Sequence, residues 1–265
     1  MILRSVGHTL AYRLSESSLK TALRHLSRYG DTDIFPHLPE LKFFADEEDK
    51  VIAELKNLNL DSYNPNGAIE CLAPKSRLGF RIAHQLSAVD NLLMLASAIE
   101  IGGLIEARRL PSNALESFSY RFSANDKGEV FDVGHTYKDW LLRQKEFLEA
   151  NAVVTVVSTD ISDFYARVNF HRLDNLLDDV AGSHGAARFL KKQIKIIRAK
   201  QSFGLPVGGA AARMLAELAL IDTDRALQDR GFVATRFVDD FRFFFKWKRR
   251  CVRCAWIFSR TARHQ

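Results

Sequence analysis

The spacing of apolar and polar positions predicts helices through much of the N-terminal part of the chain. In residues 15–26 leucines recur at every third or fourth position, which places them on one face of a helix with basic residues elsewhere. Residues 46–58 meet the same criterion. Gly-Asp-Thr-Asp at 30–33 predicts a turn, and Tyr-Asn-Pro-Asn-Gly at 63–67 predicts a break. The pattern leaves open whether the basic helix face grips a nucleic acid backbone or faces solvent.

Helical spacing recurs after the break at residues 63–67. Residues 87–105 are mostly apolar and suit packing better than chemistry. Residues 137–150 are amphipathic, and 186–200 are rich in lysine and arginine. An Ala- and Leu-rich helix is predicted over 210–227. These helices alternate with short strands, which favours a mixed architecture.

Four segments are predicted as strands or hairpins. Residues 152–159 are β-branched almost throughout, which indicates a central strand covered on both faces. Residues 73–82 predict a short hairpin with cations beside its turn, and 118–122 predict an aromatic and basic strand-like piece. Residues 236–245 predict a second hairpin, because phenylalanine and valine flank two adjacent aspartates. Strands that carry acidic or basic side chains at their ends are the natural places for a site.

Composition narrows the class of protein. The chain has 265 residues, of which 47% are hydrophobic, so we expect a globular protein of one or two domains. A net charge of +6 fits a polyanionic partner. Three cysteines do not suit a disulfide framework and favour a reducing compartment. We find no signal peptide and no apolar run of about 18 residues, so we expect a cytoplasmic protein without a membrane partner.

The candidate chemistry begins with the aspartates at the tip of the second hairpin. Asp239 and Asp240 repel one another, and a divalent cation would relieve both that repulsion and the cost of burial. Asp160 follows the 152–159 strand and supplies another carboxylate. The alternatives are a surface turn for the pair and a helix N-cap for Asp160. A metal site requires that all three carboxylates meet.

Two other sequence features are weaker indicators of a site. The Phe-Gly-Leu-Pro-Val-Gly-Gly loop at 203–209 matches neither a Walker loop nor a dinucleotide-binding fingerprint, although glycine lets another backbone or a base pair approach closely. Cys251 and Cys254 have zinc-ligand spacing, but a single pair without a second one is a poor zinc site. Neither feature defines a function by itself.

The order of these segments resembles that of the reverse transcriptase family. A buried strand ends in Asp-Ile-Ser-Asp-Phe-Tyr, a Gly-Leu-Pro-Val-Gly loop opens a helix, and a Phe-Val-Asp-Asp hairpin follows, all within about residues 70–245. The upstream Pro-Lys-x-x-x-Gly-Phe-Arg and Ser-Tyr-x-Phe pieces look like the fingers motifs of that family. The Gly-Asp-Thr-Asp-Ile-Phe-Pro segment and the valine after Leu-Pro point to its bacterial, defence-associated and abortive-infection lineage. The resemblance implies an RNA-directed DNA polymerase.

The resemblance also implies an α+β fold with right-hand fingers and palm, in which an antiparallel palm sheet packs on helices. It implies four segments: an N-terminal helical extension (1–66), fingers (67–150), palm with a fingers insertion (151–250) and an irregular basic tail (251–265). Because about twenty residues follow Phe245, the thumb is expected to be missing or truncated, by a frameshift or otherwise. We therefore also consider a truncated, catalytically weak RNA-binding module.

The resemblance assigns residues to a two-magnesium site. It implies that Asp160, Asp239, Asp240 and the carbonyl of Ile161 hold the ions, with Asp240 the weaker ligand. The residues that it implies for substrate binding are Lys75, Arg81, Ile161, Tyr165, Pro206, Val207 and Gly208. For Lys75 and Arg81 an ordinary basic surface hairpin remains the alternative. The implied partners are an RNA template, a DNA or protein primer and deoxynucleoside triphosphates, and the resemblance leaves open an oligomer or an associated non-coding RNA.

Three positions differ from common members of the family. Phe237 stands where many relatives have tyrosine, Val207 stands where retroviral and intron enzymes have glutamine, and Ala212 stands where serine is frequent. The absence of the glutamine removes an amide contact to the nucleotide. None of the three positions is an implied metal ligand.

Overall fold

The protein is described by a computed structural model that covers residues 11–32, 34–75, 77, 79–114, 116–198 and 204–246. Its helices are α1 (Glu16–Tyr29), α2 (Pro39–Asp46), α3 (Glu48–Leu55), α4 (Ala88–Arg108), α5 (Tyr137–Ala150), α6 (Phe164–Arg167), α7 (Phe170–Ala181), α8 (Gly185–Ile197) and α9 (Ala210–Asp229). Its strands are β1 (Ile69–Pro74), β2 (Phe80–Gln85), β3 (Thr155–Asp160), β4 (Ala234–Phe237) and β5 (Asp240–Phe245). The predicted mixture of helices and antiparallel strands is confirmed.

Helix α1 confirms the first predicted helix and shows why it begins and ends where it does. The side chain of Ser15 caps its N-terminus by accepting the amide of Ser18. At its C-terminus the amide of Gly30, at a φ of 76°, donates to the carbonyl of Leu26. The predicted helix over 46–58 was wrong in its bounds, because α3 covers only Glu48–Leu55, and the sequence pattern did not predict α2.

Helix α4 lies at the centre of the protein. It packs against α1, α7, α8 and α9, and its side chains Leu92, Leu93 and Leu95 are fully buried. By length and composition α4 could cross a membrane, contrary to our expectation that no segment was long and apolar enough. Most of the helix is buried inside the protein, which is typical of a core helix.

Strands β1 and β2 form the predicted hairpin that carries the two cations. They pair antiparallel, with Pro74 opposite Phe80, and the amide of Lys75 donates to the carbonyl of Gly79 at 2.8 Å across the turn. Lys75 and Arg81 therefore flank the turn as predicted, and both side chains are exposed.

Helix α5 also has its predicted bounds, and a capping box between Thr136 and Asp139 fixes its start.

A three-stranded antiparallel sheet has the order β3-β5-β4. We predicted β3 as a central strand covered on both faces, and this was wrong: among the described strands it lies at an edge of the sheet. Its alternate side chains are exposed, with Val154 57% and Val156 41% accessible. β-branched residues favour extended backbone whether or not a second neighbour is present, so their number did not report the position in the sheet.

The segment 118–122 is not a strand of a sheet, contrary to our prediction. Phe122 makes an isolated bridge to Phe131 instead, and Tyr120 has a φ of 47°, which interrupts an extended conformation. The guanidinium of Arg109 donates to the carbonyls of Ser119 (2.7 Å) and Tyr120 (2.9 Å). Side chains thus satisfy the backbone of this segment where a sheet neighbour would otherwise do so.

The other predictions concern the ends of α8 and α9, the C-terminal residues and the division of the chain into segments. Helix α8 ends at Ile197, before the predicted Lys200, and residues 199–203 lie outside the described part of the chain. Helix α9 starts at Ala210 as predicted and runs to Asp229. Cys251, Cys254 and the basic tail also lie outside the described residues. The four-segment division and the fingers-and-palm architecture remain predictions.

Candidate active site

The three candidate aspartates lie at one end of the three-stranded sheet. Asp160 is the last residue of β3 and pairs in register with Asp240, the first residue of β5. The amide of Ile161 donates to the carbonyl of Asp239 at 3.2 Å, so the backbone just beyond β3 is tied to the hairpin tip. Carboxylates that are far apart in the sequence are therefore neighbours, because the antiparallel register aligns the end of one strand with the start of the other.

Electrostatics at this end of the sheet are unfavourable for negative charge. Burial raises the pKa of Asp239 above its ordinary value, and the charges of Asp240 and Asp160 raise it further. A backbone hydrogen bond and the cation of Lys75 offset part of this effect. Asp239 thus carries a carboxylate whose ionised form lacks full compensation from its surroundings.

The donor set fits a hard divalent cation in its chemistry. Carboxylate and carbonyl oxygens are the ligands that Mg²⁺ prefers, and the residues that carry such groups, Asp160, Ile161, Asp239 and Asp240, lie at the same end of the sheet. In the described residues, however, no group of three or more His, Cys, Asp or Glu side chains is gathered closely enough to hold a metal ion. Additional oxygen ligands from a substrate would therefore be needed to complete the coordination of such an ion.

The raised pKa of Asp239 predicts that Asp239→Asn stabilises the fold at neutral pH. A carboxyl whose folded-state pKa is raised contributes stability at low pH and loses it as the pH rises through that pKa. We expect the melting temperature of the variant at pH 7 to exceed that of the wild type by about 1–2 °C, with the difference shrinking toward pH 4. Differential scanning calorimetry across this pH range measures it. The exposed Asp229, changed to Asn, is the control, and an equal shift in both variants would contradict the prediction.

A cavity of about 600 Å³ separates the aspartates from the β1–β2 hairpin. The residues predicted for the site that line it are Lys75, Arg81, Asp160, Ile161, Tyr165, Val207 and Asp239. The ammonium of Lys75 lies 3.6 Å from a carboxylate oxygen of Asp163, so the hairpin reaches across the cavity to the segment after β3. Basic side chains therefore face acidic ones across a space that has the size of a small-molecule site.

Three predicted site residues do not line this cavity. Asp240 is exposed at the start of β5, and Pro206 is buried in the loop. Gly208 packs against Thr32 at a φ of 105°, and a side-chain Cβ there would lie 2.2 Å from the Thr32 hydroxyl. The structure therefore explains this glycine by a close contact with the turn after α1.

Tyr165 connects the end of β3 to the glycine-rich loop. Its carbonyl accepts the amide of Leu205 at 2.7 Å, and the carbonyl of Val168 accepts that of Gly204 at 2.8 Å. Burial raises the pKa of the Tyr165 hydroxyl, and Asp239 is among the groups that add to the effect. The neutral aromatic side chain thus stands on the cavity wall near Asp239.

Two polar side chains that bind each other are among the cavity residues that sequence reasoning missed. His84 on β2 and Arg198 after α8 both line the cavity, and the guanidinium of Arg198 donates to Nε2 of His84 at 2.8 Å. Burial lowers the pKa of His84, and the charge of Arg198 lowers it further. No sequence signal pointed to this pair, because only tertiary folding brings β2 to the end of α8.

A buried ion cluster lies beneath the hairpin tip, and we also missed it. It consists of Arg109, Glu217, Asp224 and Arg236. Arg236 is fully buried and binds Asp224 through two hydrogen bonds of 2.7 Å. Glu217 lies 2.7 Å from Arg109 and 2.8 Å from Arg236. The sequence offered one indication of this cluster, which is the presence of charged residues inside apolar segments. Charged residues are rarely fully buried unless they are paired.

The pairing in this cluster fixes the charge state of its members. Burial would raise the pKa of Glu217, but the guanidinium groups of Arg109 and Arg236 hold it below its ordinary value. Burial would lower the pKa of Arg236, but Asp224 and Glu217 raise it above its ordinary value. Glu217 and Arg236 are therefore both charged at neutral pH, and each depends on its partners.

Comparisons with known proteins give a distant structural likeness. No protein-family model matches the chain, and no curated protein matches it. The chain is similar to a chain of a partial Cas6-RT-Cas1–Cas2 complex and to one of a Cas6-RT-Cas1–Cas2 complex, in both cases with 19% identity, a TM-score of 0.45 and coverage of 87% of this chain. It spans 37% of the length of the first chain and 23% of the second. A likeness this low does not define the activity of the protein.

Proposed function

We propose that the protein is a nucleotidyltransferase, and specifically an RNA-directed DNA polymerase that adds deoxynucleotides to a 3′-hydroxyl. The observation that carries the proposal is the register of the sheet, which brings Asp160, Asp239 and Asp240 to one end. The motif order at residues 70–245 supports the same activity. Phosphoryl transfer needs charge neutralisation and positioning above all, and the two walls of the cavity offer both.

Each side chain has a distinct role in the proposed reaction. Asp160, Asp239, the Ile161 carbonyl and the weaker ligand Asp240 would hold two Mg²⁺ ions, which activate the attacking hydroxyl and neutralise the leaving pyrophosphate when bound. Lys75 and Arg81 would neutralise the triphosphate as it enters from the hairpin side.

The positioning roles fall to residues on the other wall of the cavity. Tyr165 would support the nucleotide sugar, where an aromatic edge disfavours a 2′-hydroxyl. The Pro206–Gly208 segment would place the loop against the incoming base pair, with the side chain of Val207 on the cavity wall. These assignments follow the resemblance residue by residue.

The proposed partners follow from the reaction. They are an RNA template, a DNA or protein primer and deoxynucleoside triphosphates, in the cytoplasm. A role in antiphage defence rests on the sequence resemblance. Untemplated, protein-primed synthesis is a variant of the same chemistry, and the assay must separate the two.

A second candidate function is an RNA-binding module without chemistry. The observation that favours it is that no three metal-binding side chains are gathered closely enough in the described residues to hold an ion on their own. Such a module would bind RNA through basic side chains, and the affinity would fall steeply with salt. Binding would survive Asp160→Ala, because neutralising an acidic side chain does not remove a contact to phosphate.

A primer-extension assay on the purified chain distinguishes the two functions. RNA template, DNA template and no template are compared, with Mg²⁺ and with a chelator. The proposal predicts Mg²⁺-dependent incorporation on the RNA template. Salt-sensitive RNA binding without incorporation under any of these conditions would reject polymerisation and support the binding module.

A further inference from the structure

The tip of the β4–β5 hairpin has an unusual backbone conformation. Val238 has a φ of 56°, in the left-handed region that β-branched residues rarely adopt. Such a conformation is strained and persists only where the surroundings impose it. The side chain of Val238 is 6% exposed, so packing holds it on one side. The polar atoms of its backbone need separate partners.

Both polar backbone atoms of Val238 are bound by buried side chains. The hydroxyl of Ser119 accepts the Val238 amide at 2.8 Å, and the guanidinium of Arg236 donates to the Val238 carbonyl at 3.3 Å. Both side chains are fully buried. A buried amide without an acceptor is costly. A flip of the peptide that precedes Val238 would therefore break the hydrogen bond from the Val238 amide to Ser119, and water cannot replace it at this buried position.

The hydroxyl of Ser119 cannot turn away from Val238. It donates its proton to Oε1 of Glu217 at 2.5 Å, which leaves its lone pairs for the Val238 amide. Glu217 is in turn fixed by Arg109 and Arg236 in the buried ion cluster. A chain of charge-assisted contacts therefore leads from the cluster to the hairpin tip.

We propose that Ser119 is a positioning residue that holds Val238 in the left-handed conformation and thereby directs Asp239 toward Asp160. The peptide that joins Val238 to Asp239 takes its orientation from the backbone angles of Val238, so the direction of the Asp239 side chain depends on them. The carbonyl of Asp239, which belongs to the next peptide, accepts the Ile161 amide. The hydrogen bond by which Ser119 holds the Val238 backbone is called the clamp below. The catalytic consequence of the clamp rests on the function proposed for the aspartates, whereas the clamp itself does not.

Ser117 supplies a matched control. Its hydroxyl accepts hydrogen bonds from Arg109 at 2.8 Å and from Arg236 at 3.0 Å, so it belongs to the same cluster. It is as buried as Ser119, but its side chain makes no hydrogen bond to Val238. Ser117→Ala and Ser119→Ala thus remove the same group from the same surroundings, and they differ in the contact to the hairpin tip.

Amide hydrogen exchange tests the clamp without any need for activity. In protein labelled with ¹⁵N-valine, Ser119→Ala should speed exchange of the Val238 amide about tenfold or more, the loss expected for one buried hydrogen bond. The Val154 amide, which donates to Phe245 at 2.9 Å, is the internal reference for global unfolding. Ser117→Ala should leave the ratio of the two rates near that of the wild type. Equal ratios in the two serine variants would overturn the proposal.

A double-mutant cycle tests the consequence for catalysis. Glycine adopts a positive φ without strain. In a Val238→Gly background the left-handed conformation therefore depends less on the hydrogen bond to Ser119. Ser119→Ala should lower kcat of nucleotide incorporation about tenfold or more with KM unchanged, but only about twofold in that background. The same loss in both backgrounds would overturn the role of Ser119 in catalysis. Absence of incorporation in the wild type would reject the proposed function, and the exchange ratios would still decide the clamp.

Discussion

Asp239→Asn is expected to abolish nucleotide incorporation while leaving the protein folded. Asparagine keeps the size of the side chain but removes the charge and one anionic oxygen, both of which a magnesium ligand needs. Asp239 lines the cavity and lies at the hairpin tip beside the end of β3, so the change acts at the centre of the proposed site. We expect kcat to fall by about 10³-fold, which corresponds to about 4 kcal/mol of transition-state stabilisation.

Single-turnover primer extension measures this loss. Asp229→Asn is the matched control, because it makes the same chemical change at an exposed position near the end of α9. Asp239→Asn should also melt no lower than the wild type, since it removes a carboxylate whose pKa is raised by burial and by two neighbouring carboxylates. Full activity in the folded variant would exclude Asp239 as a metal ligand.

Arg236→Met is expected to cost the most stability of any single change near the site. Methionine has a similar length and packs well, but it leaves Asp224 and Glu217 buried without this guanidinium. Removing one partner of a buried ion pair typically costs about 3–5 kcal/mol, because the other charge remains without compensation. In a chain of this size that loss lowers the melting temperature by about 10 °C.

Thermal and urea denaturation measure this effect. Arg230→Met, at an exposed position that follows α9, is the matched control and should stay near the wild type. Arg236→Lys should fall between them, because lysine restores the charge but not the two parallel hydrogen bonds to Asp224. A melting temperature of Arg236→Met equal to that of Arg230→Met would show that the buried ion cluster contributes little to stability.

Local patterns predicted the elements that carry the candidate site. Leucine spacing gave α1, apolar content gave α4, and the aspartates between two apolar runs gave the β4–β5 hairpin. The Pro-Lys-x-x-x-Gly-Phe-Arg segment gave the β1–β2 hairpin. In each case neighbours in sequence are also neighbours in space, so a short window contains the forces that decide the structure.

Features that depend on contacts between residues far apart in the sequence could not be predicted from local patterns. The β-branched residues of β3 did not reveal that it lies at the edge of the described sheet, because strand preference is independent of the number of neighbours. The segment 118–122 looked like a strand, but hydrogen bonds from Arg109 replace a sheet neighbour. Apolar spacing did not reveal α2, a short helix that ends at Asp46. These outcomes depend on residues outside any local window.

The buried ion cluster beneath the hairpin tip could be predicted in part from the sequence. Glu217 stands in an Ala- and Leu-rich helix and Arg236 stands in an apolar strand, and both positions signal buried, paired charge. The sequence could not tell which acid pairs with which base, nor that Ser119 accepts the amide of Val238. The residues proposed to touch a substrate thus stand out in the sequence, whereas those that hold them in place are revealed only by the fold.

The central proposal is that Asp160 and Asp239, with Asp240 as a weaker ligand, hold paired divalent cations once a substrate supplies further oxygen ligands. The most direct measurement is a Mn²⁺ titration followed by electron paramagnetic resonance, with primer, RNA template and a non-hydrolysable deoxynucleotide present to supply the missing oxygen ligands. The account predicts about two Mn²⁺ ions per wild-type chain and loss of both sites in Asp160→Ala and in Asp239→Ala. The same Mn²⁺ binding in the wild type and in both variants would contradict it.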